Sequence, residues 1–428
     1  MALTACAPTE VDDIFDESAA KRLDKAVADY KNYFADKGGK WVMKYFCNEE
    51  EPGYTFVITF DKNGSVTVAG DNSFIDGYKS DVSLWDVIAD NGPVLTFNTY
   101  NTVLHTFSDP ADIPSTSTRE TGRGHEGDYE FMIIKTEDER CELRGKKTSY
   151  TIIMDRIPSD VDDAEYMASV TKRINTSFSP KIDSIYLETG NGKKFVIFNA
   201  VSRIWSFYPY GGDAVSQTEV ANCIVTADGI RFLYPLDFIQ DYDSELTVAI
   251  QNFKFMDDGT LLCIDDEATR IYGDGLASIF LTPKITWASD KAEMGGQFFS
   301  LYEAIETGVP EVFGKTSSFG GYSLSYNAKT ERLTMRFLSG RNGKTAGNIY
   351  FNVVKVDEQT IRLSFDVEDA DAADNNGRQH YNRLEPFKQL VDLLTSAEYT
   401  LSADNVMCPT PMKVTSKANA ADYLMLTF

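Results

Sequence analysis

The feature that most constrains the fold of this chain is a pair of segments with a two-residue period, joined by a turn that contains Asn-Gly. Residues 54–60 are rich in aromatic and β-branched side chains, Asp61-Lys62-Asn63-Gly64 follows, and residues 65–68 resume the alternation. Asn-Gly readily adopts the positive φ angles of a tight hairpin turn. The pattern therefore predicts an antiparallel β-hairpin.

Further segments repeat this pattern along the chain. Two more hairpins are predicted, one turning at Asp257-Asp258-Gly259 and one at residues 327–330. Other short strands are expected at residues 94–100, 129–135, 148–154, 184–188, 194–199, 229–234, 246–250, 348–354 and 360–366. Short strands separated by turn residues are typical of antiparallel sandwiches and barrels. Their irregular spacing indicates related β modules rather than a solenoid.

Three segments have the period of an amphipathic helix instead, namely residues 16–36, 160–175 and 383–396. The predicted fold class is therefore mainly β, with antiparallel sandwich or barrel-like modules, an N-terminal amphipathic helix and a few short helices. At 428 residues the chain exceeds the roughly 250–300 residues that one core organises. We expect a tether over residues 1–14, a helix-plus-β domain over 15–180, and a β-rich region over 181–428 that contains one or two β modules.

The start of the chain carries a localisation motif. Leu3-Thr4-Ala5-Cys6 matches a lipobox, in which three residues with small or apolar side chains precede the cysteine that receives the lipid. The motif predicts lipidation of Cys6, which would then be the first residue of the mature protein; the alternative is an ordinary terminal thiol. A complete signal also has a basic segment and an apolar segment of about 7–15 residues. Only Met1-Ala2 precede the motif, so we expect a shortened chain or a start codon placed too late.

Charge excludes one class of partner. The chain has 41 basic and 65 acidic residues, which gives a formal charge of −24. Such a charge repels the phosphate backbone of nucleic acids, so we expect no nucleic-acid partner. Because the sequence has no apolar run of about 18 residues, we expect membrane attachment only through lipid on Cys6.

Motifs that would indicate catalysis or cofactor binding are weak. Residues 122–127 match G-x-G-x-x-G, but a polar loop precedes them and a strand pattern follows, whereas a dinucleotide site needs a strand and then a helix. His105, His125 and His380 lack metal-ligand spacing, and the cysteines form no zinc or disulfide pattern. We therefore predict no cofactor, no metal and no catalytic residue, with buried roles for the cysteines and a structural strand position for His105.

One aromatic segment is the candidate binding site. Aromatic residues make up 12% of the chain and are densest in Ile204-Trp205-Ser206-Phe207-Tyr208-Pro209-Tyr210. An exposed platform of Trp205, Phe207, Tyr208 and Tyr210 could stack on sugars or on an apolar ligand. The alternative is that these side chains pack in a core.

Several segments, clearest in the first 150 residues, share the pattern of a known family. They are Leu3-Thr4-Ala5-Cys6 and residues 15–22, 39–41, 92–101, 105–110, 127–131 and 145–147. With these segments the chain resembles a domain-of-unknown-function family of Bacteroidetes surface lipoproteins. The resemblance implies a signal peptide before Cys6 and, through Glu10, Asp12 and Asp13, export to the outer face of the outer membrane. Because the family has no assigned activity, the resemblance implies no catalytic residues.

Two functions remain open from the sequence. The favoured one is a non-enzymatic cell-surface lipoprotein that binds a nutrient-type ligand, such as a glycan or peptide, or an outer-membrane uptake transporter. It predicts an aromatic groove without converging titratable groups. The alternative is a secreted glycan hydrolase, which predicts two carboxylates facing each other across a cleft, one of them with a raised pKa.

Overall fold

The chain is built mainly from antiparallel strands that close into barrels. A computed structural model describes residues 18–111, 124–190, 192–210, 219–236 and 249–428. Within these ranges, 24 strands form three closed barrels of eight strands each, and successive strands are neighbours throughout. The predicted fold class, mainly β with barrel-like modules, an N-terminal helix and a few short helices, is confirmed.

The first barrel follows a 17-residue helix, α1 (Ala19–Ala35). Its strands are β1 (Lys40–Tyr45), β2 (Tyr54–Phe60), β3 (Ser65–Asn72), β4 (Gly77–Asp90), β5 (Gly92–Phe97), β6 (Glu130–Thr136), β7 (Arg140–Gly145) and β8 (Thr151–Arg156). Pairing of β1 with β8 closes the barrel. Short 3-10 helices are found at Asp36–Gly38, Ser73–Ile75 and His105–Phe107.

The second barrel follows α2 (Asp163–Thr176). Its strands are β9 (Ile185–Thr189), β10 (Gly192–Asn199), β11 (Ile204–Pro209), β12 (Glu219–Val225), β13 (Gly229–Phe232), β14 (Asn252–Phe255), β15 (Leu261–Cys263) and β16 (Arg270–Gly273). Pairing of β9 with β16 closes this barrel.

The third barrel follows the short helix α3 (Leu276–Phe280) and contains three further helices. Its elements in chain order are β17 (Thr286–Gly295), α4 (Gly296–Phe313), β18 (Tyr322–Asn327), β19 (Arg332–Ser339), β20 (Thr345–Asp357), β21 (Thr360–Ser364), α5 (Asn375–Arg383), α6 (Glu385–Thr395), β22 (Glu398–Ser402), β23 (Met412–Ser416) and β24 (Tyr423–Thr427). Pairing of β17 with β24 closes the barrel. No helix within the described ranges is both long and apolar enough to cross a membrane.

The chain divides into two compact units, residues 1–171 with 224–227, and residues 172–223 with 228–428. In the first unit, the side chains inside the first barrel form a core with Phe34 and Ala35 of α1. Val57 and Ala69 lie outside that core and pack against Met167 of α2 in a second, smaller cluster. The second unit contains the third barrel and most of the second.

A Phe–Trp contact occurs where the first and third barrels begin. The indole Nε1 of Trp41 in β1 donates a hydrogen bond of 3.0 Å to the carbonyl oxygen of Phe34, seven residues earlier at the end of α1. The Nε1 of Trp287 in β17 donates an equivalent bond of 3.0 Å to Phe280, the last residue of α3. Both tryptophans are fully buried. In both barrels this hydrogen bond joins a helix to the first strand. We call the tryptophan and the phenylalanine seven residues before it the Phe–Trp clamp.

The second barrel varies this clamp. Phe178, just after α2, stands seven residues before Ile185, the first residue of β9, where the other barrels have tryptophan. The ring of Phe178 instead packs edge-on against Trp205 of β11, with 4.8 Å between ring centroids. The three barrels are thus related modules: before the first strand of each stands a helix with a phenylalanine at its end or just after it.

The three predicted helices and the three predicted hairpins are all present, at α1, α2 and α6 and at the pairs β2–β3, β14–β15 and β18–β19. The 18-residue helix α4, which contains Gly308 and Pro310, was not predicted from the sequence. The tether over residues 1–14, Cys6 and most of the predicted strand 246–250 lie outside the described residues.

Candidate functional site

An aromatic patch on the outer surface of the second barrel is built by the register of three neighbouring strands. Tyr186 of β9 lies opposite Phe195 of β10 on one side and opposite Tyr272 of β16 on the other. Successive side chains of a strand point to opposite faces, so Ile185 and Leu187 fill the barrel interior. The three aromatic rings consequently stand side by side on the outside.

The same registers place charged residues two positions away along each strand. Lys193 of β10 lies opposite Glu188 of β9, which in turn lies opposite Arg270 of β16. Tyr210, directly after β11, adds its ring from the far side of β10, with its centroid 5.2 Å from that of Phe195 and 5.9 Å from that of Tyr186.

The three tyrosines of this patch surround one ammonium group. The Nζ of Lys193 lies 3.6 Å from the ring centroid of Tyr186 and 5.0 Å from the centroids of both Tyr210 and Tyr272. The negative faces of aromatic rings attract cations within about 6 Å. We call Tyr186, Tyr210 and Tyr272 the tyrosine cage and Lys193 its occupant.

Charged side chains flank the tyrosine cage. The Nη2 of Arg270 forms a 2.7 Å ion pair with Oε2 of Glu188, and its guanidinium lies 4.4 Å from the ring centroid of Tyr272. The hydrogen bond from Arg270 is the main reason that the pKa of Glu188 is lowered. Burial, together with the nearby carboxylate of Asp274, raises the pKa of Tyr186. The phenol of Tyr186 therefore stays neutral at physiological pH.

The aromatic segment that the sequence indicated is divided between the two faces of β11. Trp205 and Phe207 are buried, with exposed fractions of 0% and 1%, and belong to the barrel interior. Tyr208 is half-buried, whereas Tyr210 is 54% exposed and belongs to the tyrosine cage. The four residues therefore do not form one exposed platform, and a ligand-binding role for them stays a prediction.

The other members of the site lie far from this segment in sequence. Tyr186, Lys193 and Phe195 belong to the β9–β10 hairpin, and Tyr272 to the last strand of the barrel. Each was assigned only to a strand or to no element from sequence. The available signal was the alternation in Tyr186-Leu187-Glu188, which separates an outward tyrosine and glutamate from an inward leucine.

A buried polar network lies inside the first unit. Nδ1 of His125 is 2.7 Å from Oε2 of Glu51, and Asn48 donates hydrogen bonds of 2.9 Å to Oε1 of Glu51 and 3.1 Å to the carbonyl of His125. The sulfur of Cys47 lies 3.6 Å from the same Glu51 carboxylate. His125 is fully buried beside Phe74, with ring centroids 4.2 Å apart. This network fixes the polypeptide around His125 to the barrel.

The remaining histidines have structural surroundings. His105 lies in a 3-10 helix, which corrects the predicted strand position, and its Nδ1 accepts a 3.0 Å hydrogen bond from the backbone N–H of Asn101. His380 lies between Phe313 and Phe337 and is bonded to Ser339 through Nε2, at 2.9 Å. Burial lowers the pKa of both imidazoles.

Other features bear on metal binding and catalysis. Within the described ranges, no group of three or more His, Cys, Asp or Glu side chains could hold a metal ion. Gly127 is followed by the strand β6 rather than by a helix. The five described cysteines, Cys47, Cys141, Cys223, Cys263 and Cys408, are buried thiols.

A polar pocket of about 460 Å³ lies beside β17 in the third barrel. Asp290 is the carboxylate among its described lining residues, and Lys291 in its wall is paired with Glu306 at 2.7 Å. The carboxyl groups of Asp81, Asp155 and Asp369 have lowered pKa values, opposite to the shift that a general acid needs. The hydrolase alternative stays a prediction.

Three solved structures align with most of this chain at low sequence identity. The Helicobacter pylori beta clamp in complex with 3,4-difluorobenzamide is 11% identical over 95% of this chain and 97% of its own, with a TM-score of 0.13. The Bacillus subtilis DNA polymerase sliding clamp is 11% identical over 95% and 96%, with a TM-score of 0.13. A Trp-176-Ala mutant of Transferrin Binding Protein B from Haemophilus parasuis is 7% identical over 90% and 74%, with a TM-score of 0.16. TM-scores this low do not establish a shared fold.

None of the curated proteins matches the chain by sequence. A family model described as Domain of unknown function (DUF4302) matches residues 11–253, which include the first barrel and the second as far as β14. This match spans more than half of the 428 residues. The chain therefore belongs to the DUF4302 family.

Proposed function

We propose that this protein is a non-enzymatic surface lipoprotein that binds a nutrient-type ligand at the tyrosine cage of its second barrel. The observation that carries the proposal is the convergence of three tyrosines, from three different strand segments, around one ammonium group. Aromatic residues that converge on the outside of a protein provide large contact area at small conformational-entropy cost.

The accessible part of the site is suited to recognition. Tyr210 is 54% exposed, and Phe195 and Tyr272 are half-buried, so a ligand can reach their rings without disturbing the barrel interior. Glu188 and Arg270 at the rim offer hydrogen-bond acceptors and donors in fixed positions, because they are paired with each other. Rings for stacking and flanking polar groups for orientation are the usual components of a ligand site.

The lipid anchor in this proposal rests on the sequence. Leu3-Thr4-Ala5-Cys6 supplies the cysteine, and the acidic residues that follow favour the outer face of the outer membrane. A chain held there by lipid could present the tyrosine cage to ligands outside the cell or to an uptake transporter in the same membrane. The charge of −24 argues against a nucleic-acid ligand.

Replacing Tyr210 with alanine tests the binding site. We expect ligands found by screening glycan and peptide arrays to bind the variant about tenfold more weakly, since aromatic anchors dominate the energy of binding sites. Tyr100→Ala is the matched control, because Tyr100 is a comparably exposed tyrosine of the first barrel at 60%. Equal affinity of wild type and Tyr210→Ala for every array ligand would contradict the assignment of the site.

Replacing Cys6 with alanine tests the anchor. The gene is expressed with its upstream codons in a diderm bacterium that is fed a clickable fatty acid, and intact cells are then treated with protease. We expect the wild type to take up label and to be cleaved at the surface, and Cys6→Ala to lose both properties. Absence of label in the wild type would refute lipidation.

A further inference from the structure

The tyrosine cage is occupied by a side chain that makes no direct hydrogen bond or ion pair in the part of the chain that the structure describes. Within the described ranges, Lys193 forms no ion pair and its ammonium donates no hydrogen bond. The opposite residue on β9, Glu188, is engaged by Arg270 instead. The ammonium of Lys193 is therefore held by the three ring faces and by the longer-range attraction of the Glu188 carboxylate, without a direct hydrogen bond.

An occupant held in this way is easily exchanged. Lys193 is the second residue of β10, next to the turn that joins β9 to β10, so its side chain can leave the cage while the strand pairing stays intact. A lysine side chain regains much rotamer freedom when it is released. Tyr186 is only 7% exposed while Lys193 covers it, so release would uncover the deepest ring of the cage.

Charge determines what could replace Lys193. Without its ammonium, the cage keeps the carboxylates of Glu188 and Asp274 nearby, together with the guanidinium of Arg270, which is paired with Glu188. The chain as a whole carries −24. Both the local groups and the overall field therefore attract a cation and disfavour an anion. Neutral sugars would lack the charge that the three ring faces favour.

We propose that the tyrosine cage is a binding site for an alkylammonium group, and that Lys193 is an intramolecular occupant which the ligand displaces. The inference rests on the proposed function and names its ligand chemistry. An alkylammonium group is carried by the lysine side chain of a peptide and by small quaternary ammonium compounds such as choline. The tyrosine cage would thus be closed by its own lysine until a competing cation arrives.

The test compares the full chain with Lys193→Ala. The probes are tetramethylammonium, choline and the N-acetylated, C-amidated peptide Ala-Lys-Ala, titrated at constant chloride concentration. The equally blocked peptide Ala-Gln-Ala, which has no ammonium group, is the uncharged control. Because removal of the competitor frees three ring faces, we expect Lys193→Ala to bind the charged probes about tenfold more tightly than the wild type. The N-methyl proton signals of tetramethylammonium and choline should shift upfield on binding, since ring currents shield protons above an aromatic face.

Two variants separate cage binding from a charge effect. Lys254→Ala removes one positive charge from an exposed position on β14 of the same barrel and should leave the affinity unchanged. Adding Tyr210→Ala to Lys193→Ala should abolish the gain, and this variant removes an exposed side chain that the core does not need. An equal gain in Lys254→Ala, or no gain in Lys193→Ala, would overturn the inference.

The outcomes also distinguish the ligand source and the two proposals. Tighter binding of Ala-Lys-Ala than of choline supports a peptide lysine, and the reverse supports a small quaternary ammonium compound. If array ligands depend on Tyr210 while no ammonium probe binds Lys193→Ala, the alkylammonium inference fails and the proposed function stands. If ammonium probes bind but no array ligand depends on Tyr210, the nutrient-binding function fails.

Discussion

Replacing Trp41 with alanine is expected to lower the free energy of unfolding of the first barrel by about 3–5 kcal/mol, the usual cost of removing a large buried aromatic side chain. The indole is fully buried, donates its N–H to Phe34 and lies under the guanidinium of Arg156, whose Cζ is 4.0 Å from the ring. The substitution leaves a cavity, an unsatisfied carbonyl and a cation without its ring. It also removes the hydrogen bond between β1 and the end of α1.

Hydrogen exchange in peptides from β1–β8 measures the stability of the first barrel separately from that of the other two. A separate measurement is needed because a chain with two compact units does not unfold in one step. Trp41→Phe is the control: it keeps a ring but loses the N–H donor, and we expect a cost of about 1–2 kcal/mol. Trp287→Ala should produce the same effect in β17–β24. A loss below about 1 kcal/mol for Trp41→Ala would refute the clamp.

Replacing Glu51 with alanine is expected to cost about 3 kcal/mol, because it removes one partner of a buried pair. The Oε2 of Glu51 contacts His125 at 2.7 Å and Oε1 accepts from Asn48 at 2.9 Å, and both partners are buried. His125 is fully buried and Asn48 is almost so, and both lose a polar partner when the carboxylate is removed. In a hydrogen-exchange experiment, we therefore expect the backbone amides of the strands on either side of Asn48 and those around His125 to exchange faster.

A double-mutant cycle with His125→Phe isolates the pair. The introduced phenyl ring would lie beside Phe74 and Phe107, whose rings already contact the imidazole, so the single variant removes the polar partner and retains the aromatic packing. We expect a coupling energy of about 1–3 kcal/mol between positions 51 and 125, and Glu51→Gln should retain part of it. Strict additivity of the two substitutions would show that the contact contributes nothing.

Local features of the fold could be predicted because they depend on neighbouring residues. The Asn63-Gly64 turn fixes β2 against β3, and the 3.6-residue period of α6 places Phe387, Leu390 and Leu394 on the buried side. Barrel closure could not be predicted, since the pairing of β1 with β8 joins strands from opposite ends of the module. The helix α4 escaped prediction because Gly308 and Pro310 are poor helix formers that tertiary packing tolerates.

The candidate site was predictable only in part, for the same reason. The aromatic density around Tyr210 is visible in the sequence, but alternation along β11 sends Trp205 inward. The partners of Tyr210 depend on the registers of β9, β10 and β16, which no local pattern specifies. The spacing of seven residues from Phe34 to Trp41, repeated from Phe280 to Trp287, is a signal in the sequence for related modules.

Closure of each barrel by its own first and last strands has a consequence for folding kinetics. The pair β1–β8 can form only after residue 151 has been synthesised, and the pair β17–β24 only near the end of the chain. Contacts between such distant residues give a high contact order, which slows folding because loop entropy is lost before the contacts form. Since no barrel borrows any of the described strands from another, each can complete its hydrogen bonding in turn as it leaves the ribosome, in the order in which the modules are encoded.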